Sequence, residues 1–314
     1  YAEIIDKKIT TIVIQFNYGF FKFRSFNEFL NKILHKKIRI IIFLHSTINP
    51  NNNLNKSLSN LKDSLALCDR ILVHTPSDLN RLKQIGLGLN SYIFPHGILD
   101  FDNSNYINSN FSFNLPYKNK VHMATYGFCL PNKGYRELIY AINILNKMNY
   151  NITLTLYTAI HSAKISSVYA EELQVLINKL DLHKFVRIDS FYYRDDETLI
   201  NLARQDIIIF PYQLSNESSS ASVRHGLAAG PPVLVTPIAI FEDLQNVVQT
   251  LPGISPQEIA DGIHSWLEKT KDTKAINNNI NEKANLWRKQ HRFSLLGRRL
   301  QGLIKGLEIN QDFL

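Results

Sequence analysis

Ten short apolar runs recur along the chain, with helical patterns in nearly all the gaps between them. The runs lie at 10–16, 38–45, 70–75 and 91–95, then at 120–127, 152–158, 186–191, 206–212, 232–236 and 247–251. Helical periodicity marks 26–35, 56–67, 77–86, 133–148, 165–181, 196–204, 219–229 and 255–270, and a long segment from about 274 to 305. A run such as Ile40-Ile-Ile-Phe-Leu44 has no polar face, so a strand built from it must be covered on both sides. Strands that alternate with helices of this length place those helices on both faces of a parallel sheet. The expected fold class is therefore α/β.

The alternation lapses once. Residues 99–119 are rich in Asn, Ser and aromatics and have no clear period, as expected of an inter-domain linker. Only four strands precede it, whereas a doubly wound domain normally has five or six. The reading is a first domain at 1–112 that lacks its opening βα units and a second, complete domain at 113–290. A C-terminal helix at 291–314 is expected to cross back to the first. The Asn-rich stretches 50–55 and 277–281 read as loops.

An apolar share of 45% with 20% charged residues is that of an ordinary soluble globular protein. No run approaches the roughly 20 residues that span a bilayer. The chain opens on Tyr1 with no signal-peptide pattern, which suggests a fragment or a processed product. Cys68 and Cys129 lie in apolar surroundings and read as buried free thiols of a reducing cytosol. Residues 1–120 hold 15 of the 35 Lys and Arg but only 8 of the 27 Asp and Glu, so they carry +7 of the net +8. That asymmetry suits an anionic partner such as a membrane surface, or else a solvated face. No recognised nucleic-acid module interleaves these basic residues with aromatics, so nucleic acid is not expected.

Two turns carry chemistry. Glu217 to Val233, ESSSASVRHGLAAGPPV, lies between the runs Asp206–Tyr212 and Pro232–Pro237. Its Ser-rich start opens a helix and offers unpaired backbone N–H groups, hydroxyls and one carboxylate at one point. Amides and helix dipole suit the phosphates of a sugar diphosphate, and the acid suits a sugar hydroxyl. The second turn follows the run Val121–Gly127 and reads Phe128-Cys-Leu-Pro-Asn-Lys-Gly134. Gly127 permits a tight turn, Gly134 a close approach, and Lys133 an ammonium beside a helix start. Alone, Lys133 would read as a solvated lysine; paired with the Glu217 turn it reads as functional.

In these residues the chain resembles the retaining GT-B glycosyltransferases of family 4. The match runs through Leu72-Val-His-Thr75, Phe94-Pro-His-Gly-Ile98, Gly127, Lys133-Gly134 and Glu217 to Gly230-x-Pro232-Val233. Ile12 to Gly19 and Phe43-Leu-His45 fall where the family has strands facing its cleft. The resemblance covers nearly the whole chain in the right order. It implies two Rossmann-like domains facing a cleft, with the nucleotide-sugar on the second domain and the acceptor on the first. Glu217, Lys133 and His45 would be the catalytic residues. Gly127, Phe128, Gly134, Ser218, Ser219, Ser220, Ala221, Arg224, His225 and Gly97 would line the donor site.

The family pattern is Glu, seven residues, then a second Glu that holds the ribose; here that place is His225, with Arg224 as the alternative. At Phe128 many relatives have an arginine on the phosphates. Asp100-Phe101-Asp102 lacks the neighbours of a metal site, and Asp195-Asp196-Glu197 reads as the acidic first turn of a helix. The expected activity is transfer of a sugar from a nucleoside diphosphate to a glycan or lipid-linked acceptor with retention, without cofactor or metal. The expected setting is surface polysaccharide synthesis in the cytoplasm, at the inner membrane face. The rival expectation is a catalytically silent nucleotide-sugar binder or partner subunit.

Overall fold

A computed structural model of the protein describes residues 1–50, 54–102, 120–272 and 274–309. All ten apolar runs form strands, and they make two sheets in which every pairing is parallel. The chain divides into two compact units. One takes Tyr1–His96, Asn216–Ser219 and the chain from Ser294 on; the other takes Gly97–Ser215 and Ser220–Phe293.

The first unit has strands β1 (Thr11–Phe16), β2 (Arg39–Leu44), β3 (Arg70–Val73) and β4 (Ser91–Ile93), side by side in chain order. Helix α1 (Ala2–Asp6) precedes β1, and α2 (Phe23–His35), α3 (Lys62–Ala66) and α4 (Pro76–Gln84) lie between successive strands. Successive strand residues point to opposite faces, so the all-apolar β2 needs two covers. Ile40, Ile42 and Leu44 join a core with Phe26, Leu30 and Ile33 of α2. Ile41 and Phe43 face the other way, and there Leu300, Leu303, Ile304 and Leu307 of the final helix (Phe293–Ile309) pack on them.

The second unit has β5 (Val121–Tyr126), β6 (Ile152–Tyr157), β7 (Val186–Asp189), β8 (Ile207–Phe210), β9 (Val233–Val235) and β10 (Gln249–Thr250). Its helices are α5 (Tyr135–Lys147), α6 (Lys164–Lys179), α7 (Asp195–Ala203), α8 (Ala221–Ala229), α9 (Pro256–Asp272) and α10 (Lys274–His291). Across the sheet the strands run β10-β9-β8-β5-β6-β7. Chain order therefore reverses between β5 and β8, the doubly wound arrangement whose ligands sit beyond the carboxyl ends of the strands at that point.

Several expectations change. The units change over after His96 rather than near 112, because Ile98, Leu99 and Phe101 already pack in the second unit's core. Most of the expected linker, 103–119, lies outside the described residues, as do 51–53 of the first Asn-rich stretch. Asn277–281, read as a loop, falls within α10. The long helix expected over 274–305 is two helices. At Arg292 the chain bridges to Ile98, where Ile98 N–H donates to His291 O and Phe293 N–H to Ile98 O. Those bonds take backbone groups that a continuous helix would pair internally. Cys68 and Cys129 are buried free thiols, and burial pushes the Cys68 thiol up to about 12. Among the described residues no helix is long and apolar enough to cross a membrane.

Candidate functional site

The strand reversal places two turns together in the second unit. After β5, Gly127 has φ +143°, and a Cβ there would lie 3.1 Å from Ser222 Oγ and 3.3 Å from Tyr135 Oη. A short 3-10 turn, Pro131–Lys133, then leads to Gly134 at φ +73°. A Cβ on Gly134 would lie 1.8 Å from the carbonyl oxygen of Pro211, just beyond β8, so no other residue fits. This close approach carries Lys133 across the end of β8. Its Nζ stands 3.9 Å from the Tyr212 ring centroid, a cation–π contact that restricts where the ammonium goes. Tyr212 Oη in turn lies 3.3 Å from Ser220 Oγ.

Ser220 caps α8: its Oγ accepts from Val223 N at 3.3 Å, leaving other first-turn amides beside Ala221 and Ser222. Arg224, expected in the donor site as the alternative to His225, is instead buried. Its side chain is 2% exposed; Nη1 donates to Ser220 O at 3.1 Å and Nη2 to Asp243. A guanidinium this deeply buried needs such a pairing, and here it braces the helix start. His225, one helical turn past Ala221, has Nδ1 3.0 Å from Ala221 O and Nε2 3.2 Å from Asp195 Oδ1. Asp195 opens α7, whose first turn is acidic as the sequence implied, but its pairing with His225 was not foreseen.

A cavity of about 160 Å³ adjoins these groups, lined by Tyr126, Gly127, Phe128, Tyr192, Ser222 and His225 among others. Its walls are largely aromatic. Phe128 stacks near Tyr192 at 6.3 Å between centroids, and Tyr126 lies 5.1 Å from the His225 ring. Such a slot suits a flat ring, with polar groups of Ser222 and His225 at its edge.

The first unit gathers a different set of groups. His45 follows β2, His74 follows β3, and Gln15 projects from β1. His74 Nδ1 is 3.1 Å from Phe94 O, His74 Nε2 is 3.0 Å from His45 Nδ1, and His45 Nε2 is 2.7 Å from Gln15 Oε1. His96 adds a third ring, 5.1 Å from that of His74. A carbonyl accepts only, so His74 Nδ1–H donates to Phe94 O and a neutral His74 accepts at Nε2 from His45 Nδ1–H. The bare His45 Nε2 then accepts from the Gln15 amide turned to present its NH2, since two acceptors cannot bond. Burial holds the His45 pKa below its ordinary value, favouring the neutral ring.

The segment from Glu217 to Val233 does lead from β8 through α8 to the parallel strand β9, but Asn216–Ser219 at its start group with the first unit. Ser46 Oγ donates to Asn216 O at 2.7 Å, and Ser218 N donates to His45 O at 3.3 Å. Ser218 Oγ donates to Asp78 Oδ1 at 2.7 Å. The Ser218 hydroxyl and amide, expected on a diphosphate, are thus engaged inside the unit. Glu217 between these anchors is exposed, and Ser219 Oγ is buried with no hydrogen-bond partner among the described residues. Gly97 is buried at the changeover between units. Among the described residues no group of three or more His, Cys, Asp or Glu is placed to hold a metal ion.

Sequence reasoning picked out Lys133, Glu217, His45 and the two glycines but missed Gln15, His74, Asp78, Tyr212 and Asp195. Gln15 carried a signal, as the one polar residue inside the apolar run Ile12–Phe16. So did Thr75-x-x-Asp78, a helix-capping pattern, although nothing in it pointed to Ser218.

No protein-family model matches the chain, and no curated protein matches it in sequence. Solved structures do. The crystal structure of Anabaena Alr3699/HepE in complex with UDP superposes with TM-score 0.74 at 18% identity, over 97% of this chain and 81% of that one. A glycosyltransferase from Rickettsia africae gives TM-score 0.75 at 14% identity, over 97% and 78%. Sucrose-phosphate synthase from Thermosynechococcus elongatus gives 0.74 at 12%, over 98% and 76%. The chain has the fold of the GT-B glycosyltransferases, with two α/β units each built on a parallel sheet.

Proposed function

We propose that the protein is a glycosyltransferase that moves a sugar from a nucleoside diphosphate to an acceptor hydroxyl with retention of configuration. One observation carries the reading. At the strand reversal of the second unit, Gly127 and Ala221 and Ser222 at the start of α8 line an aromatic cavity, and Lys133 is held on the Tyr212 ring at the end of β8. That is the chemistry of a nucleoside diphosphate: a flat base in the slot, and phosphates against amides and an ammonium. Solved structures of the same fold include complexes with UDP and with UDP-glucose, which makes UDP-glucose the first donor to try.

In this reading the bond between the sugar's anomeric carbon and the phosphate oxygen breaks, and the oxygen keeps the electron pair. Lys133 and the amides of α8 stabilise the charge that grows on the diphosphate. Glu217 accepts hydrogen bonds from sugar hydroxyls and complements the positive charge on the ring. The acceptor hydroxyl attacks from the side the phosphate leaves, and its proton passes to the departing phosphate oxygen. His45, neutral and with its tautomer set by His74, accepts at Nε2 from a hydroxyl of the donor in place of Gln15. Fixed positive groups do the neutralising, so the reading needs no metal. The net positive charge of residues 1–120 supports a glycan or lipid-linked acceptor used at an anionic membrane face in surface polysaccharide synthesis.

The second reading, a silent nucleotide-sugar binder, is favoured by His225, whose two ring nitrogens already face Ala221 O and Asp195. Incubation with a panel of nucleotide-sugars, UDP-glucose first, separates the two. Release of nucleotide together with thermal protection marks an enzyme, and protection alone marks a binder. Neither effect from any donor sinks both.

A further inference from the structure

Asp78 is fully buried, and its two carboxylate oxygens have different employment. Oδ2 accepts from Thr75 N at 3.2 Å and Thr75 Oγ1 at 2.7 Å, completing the capping box that starts α4. The helix start needs nothing more from this side chain. Oδ1 nevertheless accepts from Thr47 Oγ1 at 2.5 Å, Arg81 Nη2 at 2.7 Å and Ser218 Oγ at 2.7 Å. Arg81 Nε also donates to Thr47 Oγ1 at 2.7 Å, which closes the network. A buried carboxylate with this many donors is rigidly held, since moving it would strand charge and donors together. The one donor from far along the chain is Ser218, next to Glu217, 140 residues from Asp78 in sequence.

We propose that Asp78 is a positioning residue for sugar transfer: its Oδ1 anchors the Ser218 hydroxyl and so fixes the backbone that presents Glu217. The role rests on the reading of Glu217 as the acid that holds the transferred sugar. The anchor is one of three on the same four residues, with Ser46 holding Asn216 O and His45 O receiving Ser218 N–H. It is the only one of the three made by a charge, and charge-assisted hydrogen bonds are roughly twice as strong as neutral ones. Glu217 lies between Asn216 and Ser218, the two anchored residues, and its side chain is exposed.

Ser218→Ala is the main test because it leaves the capping box intact; Asp78→Asn is the second variant. Nucleotide release is measured with UDP-glucose, or with whichever panel donor the wild type turns over, and amide exchange is followed along 216–219 and α4. Ser218→Ala is expected to lose about tenfold or more in kcat while KM for the donor stays within about twofold, since small misplacements of a reacting group are costly. Exchange should quicken at 216–219 and stay unchanged in α4. The double variant should turn over no more slowly than Asp78→Asn alone, as for two groups in one contact. Wild-type kcat or wild-type exchange in Ser218→Ala, or additive losses in the double variant, would overturn the role. No turnover by the wild type with any donor would overturn the proposed function and this role with it, whereas wild-type turnover with an unaffected Ser218→Ala overturns the role alone.

Discussion

In the second unit the strand order reverses between β5 and β8, and the groups gathered there are mostly backbone and glycine: Gly127, Gly134 and the amides of α8. In the first unit the strands lie in chain order from β1 to β4, and the groups at their ends are side chains: Gln15, His45, His74 and the network on Asp78. Amides held by a sheet reversal exist whatever the side chains are, so that site tolerates drift at positions such as Phe128 and His225. A side-chain network does not, because each member leaves a buried partner unsatisfied when it goes. The two units therefore differ in what they can lose.

The sharpest way to break this contrast is to remove one charge from each turn. Lys133→Ala and Glu217→Ala should each cut nucleotide release on the order of 100-fold, the size of losing one strong transition-state contact. Only Lys133→Ala should also weaken thermal protection by the nucleotide. Near-normal turnover by both would sink the activity assigned to them.

Next in size is Gly134→Ala, where a Cβ 1.8 Å from Pro211 O must displace backbone. We expect a stability loss of about 3 kcal/mol or more in urea unfolding, since both the positive φ and the contact forbid a side chain. A loss below about 1 kcal/mol would show that the turn is not held by that approach.

Acid probes the side-chain network of the first unit more gently. Burial lowers the His45 pKa from its ordinary 6.5. For Asp78, burial alone would raise the pKa, but the donors Thr47, Ser218, Thr75 and Arg81 outweigh it and hold the carboxyl below its ordinary 3.8. Both are depressed in the folded state, so each contribution to stability is present above the ordinary value and is lost as pH falls through the lowered one. Unfolding measured against pH should show a histidine step first and a carboxylate step at more acidic pH. His45→Gln should remove the first and Asp78→Asn the second; an unchanged profile in either variant would refute that assignment.

The smallest expected effect is Tyr192→Ala in the aromatic cavity. It should weaken nucleotide binding by about 1 kcal/mol, roughly fivefold, with kcat little changed. An equal fall in kcat would place the ring closer to the chemistry than the cavity implies.

Periodicity found every strand among the described residues, because an apolar run of four to eight residues between helices has few other ways to bury itself. It misread the last long helix. The break at Arg292 depends on backbone bonds to Ile98, almost 200 residues earlier, which no local pattern encodes. The Gly134 turn was legible because a close approach demands glycine and leaves that demand in the sequence. The buried pairing of Arg224, expected in the donor site, was not legible, since its partner Asp243 lies beyond the helix that carries it.

The sequence by itself determined the α/β class, the ten strands of the described residues and the glycine turn at Gly134. All of these follow from burial patterns and backbone demands that act over a few neighbouring residues. Only the tertiary structure decided that Asn216–Ser219 leave the unit that flanks them, that His74 orients His45, and that Asp78 holds Ser218. Those are pairings of buried polar groups far apart in sequence. Their partners are chosen by which donors and acceptors the folded sheets bring within reach, and a single chain of letters does not record that choice.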